Sequence, residues 1–228
     1  MRDELSKQNV TKYTHGRLVP EVVPDPVFGF PADHSLIRDS GSYYLDGIPE
    51  SNYVCLALAK ENVVNEGGVL IGQLIQCIVA WVKEGRKVLL VCMDARENDE
   101  FSLYEYIERE VDKSFNGKMD GRVRIYIPSD IYSAARCLRY ADAIVAMRLH
   151  AMIMAYSYSK IYCISRTTKT KAICDDLRIP YIDLEVTSQF DEEALLRVKK
   201  LNFSFDRSAQ LEQLGLRVKA INEYLGNI

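Results

Sequence analysis

Six short runs of apolar and β-branched residues, separated by longer stretches, constrain this chain more than any other feature. They are Val54 to Leu58, Val88 to Met93, Val123 to Ile127, Ala143 to Met147, Ile161 to Ile164 and Tyr181 to Leu184. The stretches between them carry apolar residues at helical spacing. Val69, Leu70, Leu74, Cys77, Ile78 and Trp81 make one such face, and Phe101, Leu103, Tyr104, Ile107 and Val111 another. Strand-length runs alternating with helix-length segments predict a parallel sheet, because a parallel crossover needs a connection long enough to hold a helix. A run such as Val88-Leu89-Leu90-Val91 has no polar alternation, as expected of a strand covered on both faces. The reading is an α/β, Rossmann-like domain over residues 52–204.

The flanks read differently. Residues 1–51 hold Pro20, Pro24, Pro26 and Pro31 with Gly16, Gly29, Gly41 and Gly47, and are expected to be irregular, a connection or the tail of a domain that precedes them. Residues 205–228 carry Leu211, Leu214, Val218, Ile221 and Leu225 among charges, which predicts a helix packed on the domain or on a neighbour. Ser129, after Pro128, is placed to cap a helix over Asp130 to Arg139.

Composition excludes several classes. With 48% hydrophobic and 27% charged residues the chain is no disordered polymer. A net charge of -3 gives no global attraction to nucleic acid or an anionic membrane, so an anionic ligand needs a local basic cluster. The first residues hold no apolar run of a secretory signal, and Val69 to Val82 is too short to span a bilayer. The six cysteines include no Cys-x-x-Cys pair and sit in apolar runs, so they are expected to be reduced core thiols. With three histidines far apart, no metal site and no cofactor is expected, and the chain is expected to be cytoplasmic.

In an open parallel sheet ligands bind at the carboxyl ends of the strands, so polar residues there are the candidates. The run Ala143 to Met147 passes directly into Arg148-Leu149-His150 and then an apolar helical segment. A guanidinium in a segment otherwise fit for burial needs an anion, and its planar fork suits a phosphate or carboxylate. The plain alternative pairs Arg148 with a local acid such as Asp142 and leaves His150 a satisfied core histidine. The next run ends in Ser165-Arg166-Thr167-Thr168-Lys169-Thr170-Lys171, whose cations and hydroxyls make a second candidate anion site or a solvated basic loop. Asp94 and Asp99, after the second run, read as capping or solvated acids, with orienting a catalytic histidine or binding an acceptor as the functional alternative. Lys60 follows the first run. No glycine-rich phosphate loop follows that run, which argues against a nicotinamide dehydrogenase.

Several segments, taken in order, resemble the polysaccharide pyruvyl transferase family. They are Arg2-Asp3-Glu4-Leu5-Ser6, Pro24-Asp25-Pro26-Val27-Phe28, the hydrophobic strand followed by Arg148-Leu149-His150-Ala151, Ser165 with Lys169 four residues on, and Leu177-Arg178-Ile179-Pro180-Tyr181. The resemblance implies the C-terminal, donor-binding half of an enzyme built like a GT-B-type glycosyltransferase. It implies transfer of a pyruvyl group from phosphoenolpyruvate, the donor substrate, to two hydroxyls of a sugar or glycan, forming a cyclic ketal. Arg148 and His150 become catalytic donor-site residues; Leu149, Ser165, Arg166, Lys169 and Lys60 become substrate-binding ones. Where the family often ends the first strand with arginine, this chain has Ala59-Lys60, which keeps the charge without the fork.

The family's first half ordinarily precedes the Arg-Asp-x-x-Ser segment. Here Met1 stands directly before it, so the acceptor side is expected from a separate chain or a homodimer, and the chain alone is expected to be inactive or very weak. Neither nucleic acid nor membrane insertion is expected. Two other readings stay open: a nucleotide-sugar glycosyltransferase using Asp94 or Glu97 for the nucleoside, and a non-catalytic, degenerate or regulatory subunit.

Overall fold

The computed structural model describes residues 4–20, 22–29, 52–60, 68–94 and 99–226. Its centre is a six-stranded sheet: β1 (Tyr53–Ala57), β2 (Lys87–Val91), β3 (Val123–Tyr126), β4 (Ala143–Ala146), β5 (Lys160–Ser165) and β6 (Tyr181–Asp183). The spatial order is β3-β2-β1-β4-β5-β6. Every neighbouring pair is parallel, with Cys55 opposite Leu89 on one side and Ile144 on the other. The chain order reverses between β1 and β4, and the carboxyl edge at such a reversal is where doubly wound sheets bind ligands. All six predicted runs form strands, with ends differing by one or two residues.

The crossovers are helical. They are α2 (Val69–Lys83), α3 (Asp99–Lys113), α4 (Ile131–Arg139), α5 (Leu149–Ala155) and α6 (Thr168–Leu177). After the sheet come α7 (Glu192–Lys199) and α8 (Arg207–Gly226). Alternate residues of β1 serve opposite cores, as a period of two requires. Val54 and Leu56 pack with Leu74, Ile78 and Trp81 of α2 and Ile107 of α3. Cys55 and Ala57 pack with Leu138 of α4, Met152 of α5 and Ile173 of α6. Both faces are therefore covered, which is why the strands read as unbroken apolar runs. α8 adds Ile221 to the second core while Leu211, Leu216 and Leu225 stay exposed.

Two expectations are corrected. The cap of α4 is Asp130, not Ser129: its carboxylate accepts the Ser133 N–H at 2.7 Å, and the Ser133 hydroxyl accepts the Asp130 N–H at 3.1 Å. That reciprocal box outcompetes a single hydroxyl one residue earlier. The segment 1–51 is not irregular throughout, since Glu4–Tyr13 forms a helix, α1, and Pro26–Gly29 a 3-10 turn. Glu, Leu, Lys and Gln are good helix formers. The helix stops where Gly16, at φ 77, turns its N–H back to the Thr11 carbonyl at 2.8 Å. Arg2, Asp3 and Glu97 lie outside the described residues.

Candidate functional site

β1, β4 and β5 are neighbours, so the segments that follow them share one edge. The register Ala57↔Ala146 and Ala146↔Cys163 brings Lys60, Arg148 and Arg166 to the carboxyl ends of three adjacent strands. Two strand spacings, about 10 Å, separate the outer pair of strands. Of the expected residues, Lys60, Arg148, Leu149, His150, Ser165, Arg166 and Lys169 thus all fall on this edge. Arg148 and His150 follow β4, beside the reversal between β1 and β4.

Arg148 does not pair with Asp142. That acid stands just before β4, six residues ahead of Arg148 and at the other end of the strand, where it binds Arg86 at 3.1 Å. The partner is Glu100, in the first turn of α3. Its Oε1 accepts from Arg148 Nε at 2.6 Å and from Nη2, and its Oε2 accepts the Asp94 N–H at 3.0 Å. The Glu100 side chain is 2% exposed and that of Arg148 33%. A carboxylate this buried costs several kcal/mol unless paired, and Arg148 supplies the pair.

α3 reaches across β1 to do this. Tyr104, one turn along, accepts the Leu58 N–H at 2.8 Å and donates to the Val91 carbonyl at 3.0 Å, bracing the ends of β1 and β2. Burial first, then the Glu100 charge, pushes its phenol well above the usual range, so it stays a neutral brace. The same two causes push the nearby Cys92 thiol up to about 11. Ser102, on the same turn of α3, meets Lys60 Nζ at 3.3 Å. One helix start therefore touches both cations at the reversal.

His150 is no satisfied core histidine, since its side chain is 54% exposed. Its Nε2 lies 3.7 Å from Oδ2 of Asp25, a carboxylate only 6% exposed. Asp25 belongs to the 3-10 turn region: its Oδ1 accepts the Val27 N–H at 3.1 Å and its carbonyl the Phe28 N–H at 2.9 Å. Phe28, 6.2 Å edge-on to Tyr156 and 5.0 Å beneath the Arg217 guanidinium, pins that turn against α5 and α8. The acid beside the histidine is Asp25, where the sequence offered Asp94 or Asp99. Asp25 stands between two prolines, where one oxygen serves the local turn and the other faces the ring. The side chain of Asp99 lies outside what is described, and Asp94 offers its backbone N–H to Glu100.

The remaining residues divide. Leu149 packs partly buried against the second core and separates Arg148 from His150 on the first turn of α5. α5 has seven residues, so charge at this edge rests on the guanidinium more than on a helix dipole. The Ser165 side chain is buried, and its hydroxyl donates to the Thr167 carbonyl at 3.3 Å within its own loop. Thr167 caps α6 by accepting the Thr170 N–H at 3.2 Å. Lys169 is exposed on the first turn of α6 and Arg166 half-buried before it. All six cysteines are free and buried. Among the described residues no cluster of histidine, cysteine and carboxylates could hold a metal ion, and no helix is long and apolar enough to cross a membrane.

A family model described as polysaccharide pyruvyl transferase matches residues 1–160. Among curated proteins, none matches the chain. Among solved structures the chain is similar to the UDP-GlcNAc 2-epimerase of Methanocaldococcus jannaschii in complex with UDP-GlcNAc and UDP. The TM-score is 0.60 at 11% identity, over 90% of this chain and 53% of that one. A second structure of that epimerase gives 0.58 and 11%, over 90% and 55%. The chain thus spans just over half the length of these neighbours, and the likeness shows a GT-B-like Rossmann fold alone.

Proposed function

Because the chain belongs to the polysaccharide pyruvyl transferase family, we propose that its sheet edge binds phosphoenolpyruvate and moves the pyruvyl group to two hydroxyls of a sugar in a glycan. The observation that carries this is the Arg148–His150 pair, partly exposed at the reversal of the sheet and within the stretch that the family model covers. Glu100 engages the Nε and Nη2 side of Arg148, which leaves Nη1 to meet an anionic oxygen. A guanidinium held on one edge presents the other in a fixed direction, and that suits a planar or tetrahedral anion. Lys60, Arg166 and Lys169 add positive charge along the same edge.

The chemistry follows from the donor. A proton adds to the methylene carbon of the enol phosphate, and C2 gains oxocarbenium character. A sugar hydroxyl attacks C2 and loses its proton to His150, an imidazole being the side chain most often used as a general base. The C2–O bond to phosphate then breaks, the phosphate leaving with both electrons, and Arg148 stabilises the charge that develops. The second hydroxyl adds to C2 and releases its proton, closing the ketal. The balance is one phosphoenolpyruvate and one diol giving one ketal and one inorganic phosphate.

The test is direct. The protein, alone and together with a chain that supplies the acceptor half, is incubated with phosphoenolpyruvate and glycans whose hydroxyl pairs can close five- or six-membered rings. Phosphate release is measured, and the ketal methyl is sought by proton NMR. Glycan-dependent phosphate release with a new methyl signal supports the reading. Release of nucleoside diphosphate from a nucleotide sugar, with none of phosphate from phosphoenolpyruvate, would replace it by a glycosyltransferase.

A further inference from the structure

We infer a second, saccharide-binding site at the amino edge of the sheet, away from Arg148 and His150. It is a cavity of about 480 Å³ between the end of α6 and the first turns of α8, within the about 300–1,000 Å³ of small-molecule sites. The choice of a saccharide rests on the glycan reading above. α6 starts at the carboxyl edge and runs about 15 Å across the sheet, so its last residues lie at the opposite edge. Arg178 follows as its C-cap, in the left-handed region at φ 55, where helices ordinarily end on glycine or asparagine. A residue with a Cβ is disfavoured there. The guanidinium thus stands on a strained position, lines the cavity, and has no part in the chemistry of the other edge. The facing wall is fixed: the buried Ser157 hydroxyl donates to the Gln210 carbonyl at 2.9 Å and ties the end of α5 to α8.

The lining decides the class of ligand. Asp176, Asp206 and Glu212 bring carboxylates, Gln210 and Gln213 carboxamides, and Arg178 a cation. Acceptors predominate, so an anionic ligand is repelled. The field of the acids is blunted all the same. Arg217 binds Asp176 at 2.5 Å, and Asp206 caps α8 by accepting the Ser208 and Ala209 N–H groups at 3.1 Å each. Hydrogen-bonding capacity is left over: Gln210 Oε1 is shielded from solvent without a donor, and the side chains of Glu212 and Gln213 make no hydrogen bond or ion pair among the described residues. Such a wall suits a neutral compound with many hydroxyls, each able to donate to a carboxylate or carboxamide and to accept from the guanidinium.

The test is an amide NMR titration of the full chain with cellotetraose, maltotetraose and chitotetraose, and with spermidine as a cationic comparison. At least one tetrasaccharide should shift the amides of Arg178 and of residues 210–213. Arg178→Gly and Glu212→Ala should each weaken that sugar about tenfold. Arg178→Gly should not lower the melting temperature, because glycine suits the left-handed position, so its loss of binding is separable from unfolding. Binding within about twofold of the parent in either variant, shifts confined to the carboxyl edge, or spermidine moving these amides where no sugar does would overturn the proposal. So would the absence of any response. Stabilisation by phosphoenolpyruvate is read in the same proteins and should be equal in parent and variants. Its absence from all of them would count against the pyruvyl transfer reading and not against this site.

Discussion

Glu100 holds Arg148 from below: one buried oxygen takes Nε at 2.6 Å together with Nη2, and the other is fixed by the Asp94 N–H at 3.0 Å. The acid thereby does two things at once. It sets the direction of the guanidinium, and it becomes dependent on that guanidinium for its own stability. Replacing Arg148 therefore touches both the ligand and the fold.

Arg148→Ala should abolish pyruvyl transfer and also destabilise the protein. Because Arg148 is a third exposed, the loss should be smaller than the about 3–5 kcal/mol of a fully buried pair. Adding Glu100→Gln should restore part of the melting temperature and none of the activity. Arg148→Lys should keep most of the stability without recovering turnover, since an ammonium cannot present the fork. Thermal melts of the four proteins beside the transfer assay check this. An active lysine variant would show that charge alone suffices.

His150→Ala should abolish transfer with little change in stability, because the ring is half exposed and fills no core position. The check is a melt within about 2 °C of the parent, the range of an ordinary surface change, with loss of ketal formation. A collapse in stability would mark the residue as structural.

Tyr104→Phe should cost about 1–3 kcal/mol, or about 2–12 °C in melting temperature, since it leaves the buried Leu58 N–H without an acceptor. It should also loosen the ends of β1 and β2, which Tyr104 joins. Hydrogen exchange at Leu58 checks this, and unchanged protection there would contradict it.

At the far side of the edge Asp183, closing β6, accepts a hydrogen bond from Lys171 of α6. That bond holds the Asp183 carboxyl below the usual range and the Lys171 ammonium above it. For Asp183 the depressed folded value means stabilisation present above the unfolded value of about 3.9 and lost as pH falls through the folded one. For Lys171 the raised folded value means stabilisation complete below about pH 10 and lost as pH rises through it. Urea midpoints of the parent and Asp183→Asn should thus differ by a constant amount between about pH 5 and 9 and converge in acid. A difference that grows below pH 4 would contradict the sign.

Much of the fold was legible in the sequence because it is written in short-range patterns. β1 and β4, with every residue buried, could be read as strands from apolar runs alone, and α2 from the spacing of Leu70, Leu74, Ile78 and Trp81. The edge carrying Arg148 and His150 followed from the rule that ligands meet parallel sheets at strand ends. What could not be read is who holds these residues. Glu100 looks like any acid in the first turn of a helix, and Asp25 lies among prolines far along the chain. Each reaches its partner only after the sheet has closed. α1 was hidden for another reason: its apolar residues are too few for a periodic face, and the prolines and glycines that follow dominate the segment.

The central claim is that this sheet edge, through Arg148, holds phosphoenolpyruvate. Thermal unfolding of the parent and of Arg148→Lys, with phosphoenolpyruvate and with inorganic phosphate or a nucleotide sugar as comparisons, tests it most directly. At a hundredfold excess over Kd, phosphoenolpyruvate should raise the parent's melting temperature by about 5–10 °C. Phosphate should do less, and the lysine variant should shift little with either. An unmoved parent at millimolar phosphoenolpyruvate, or an equal shift in the variant, would contradict the account.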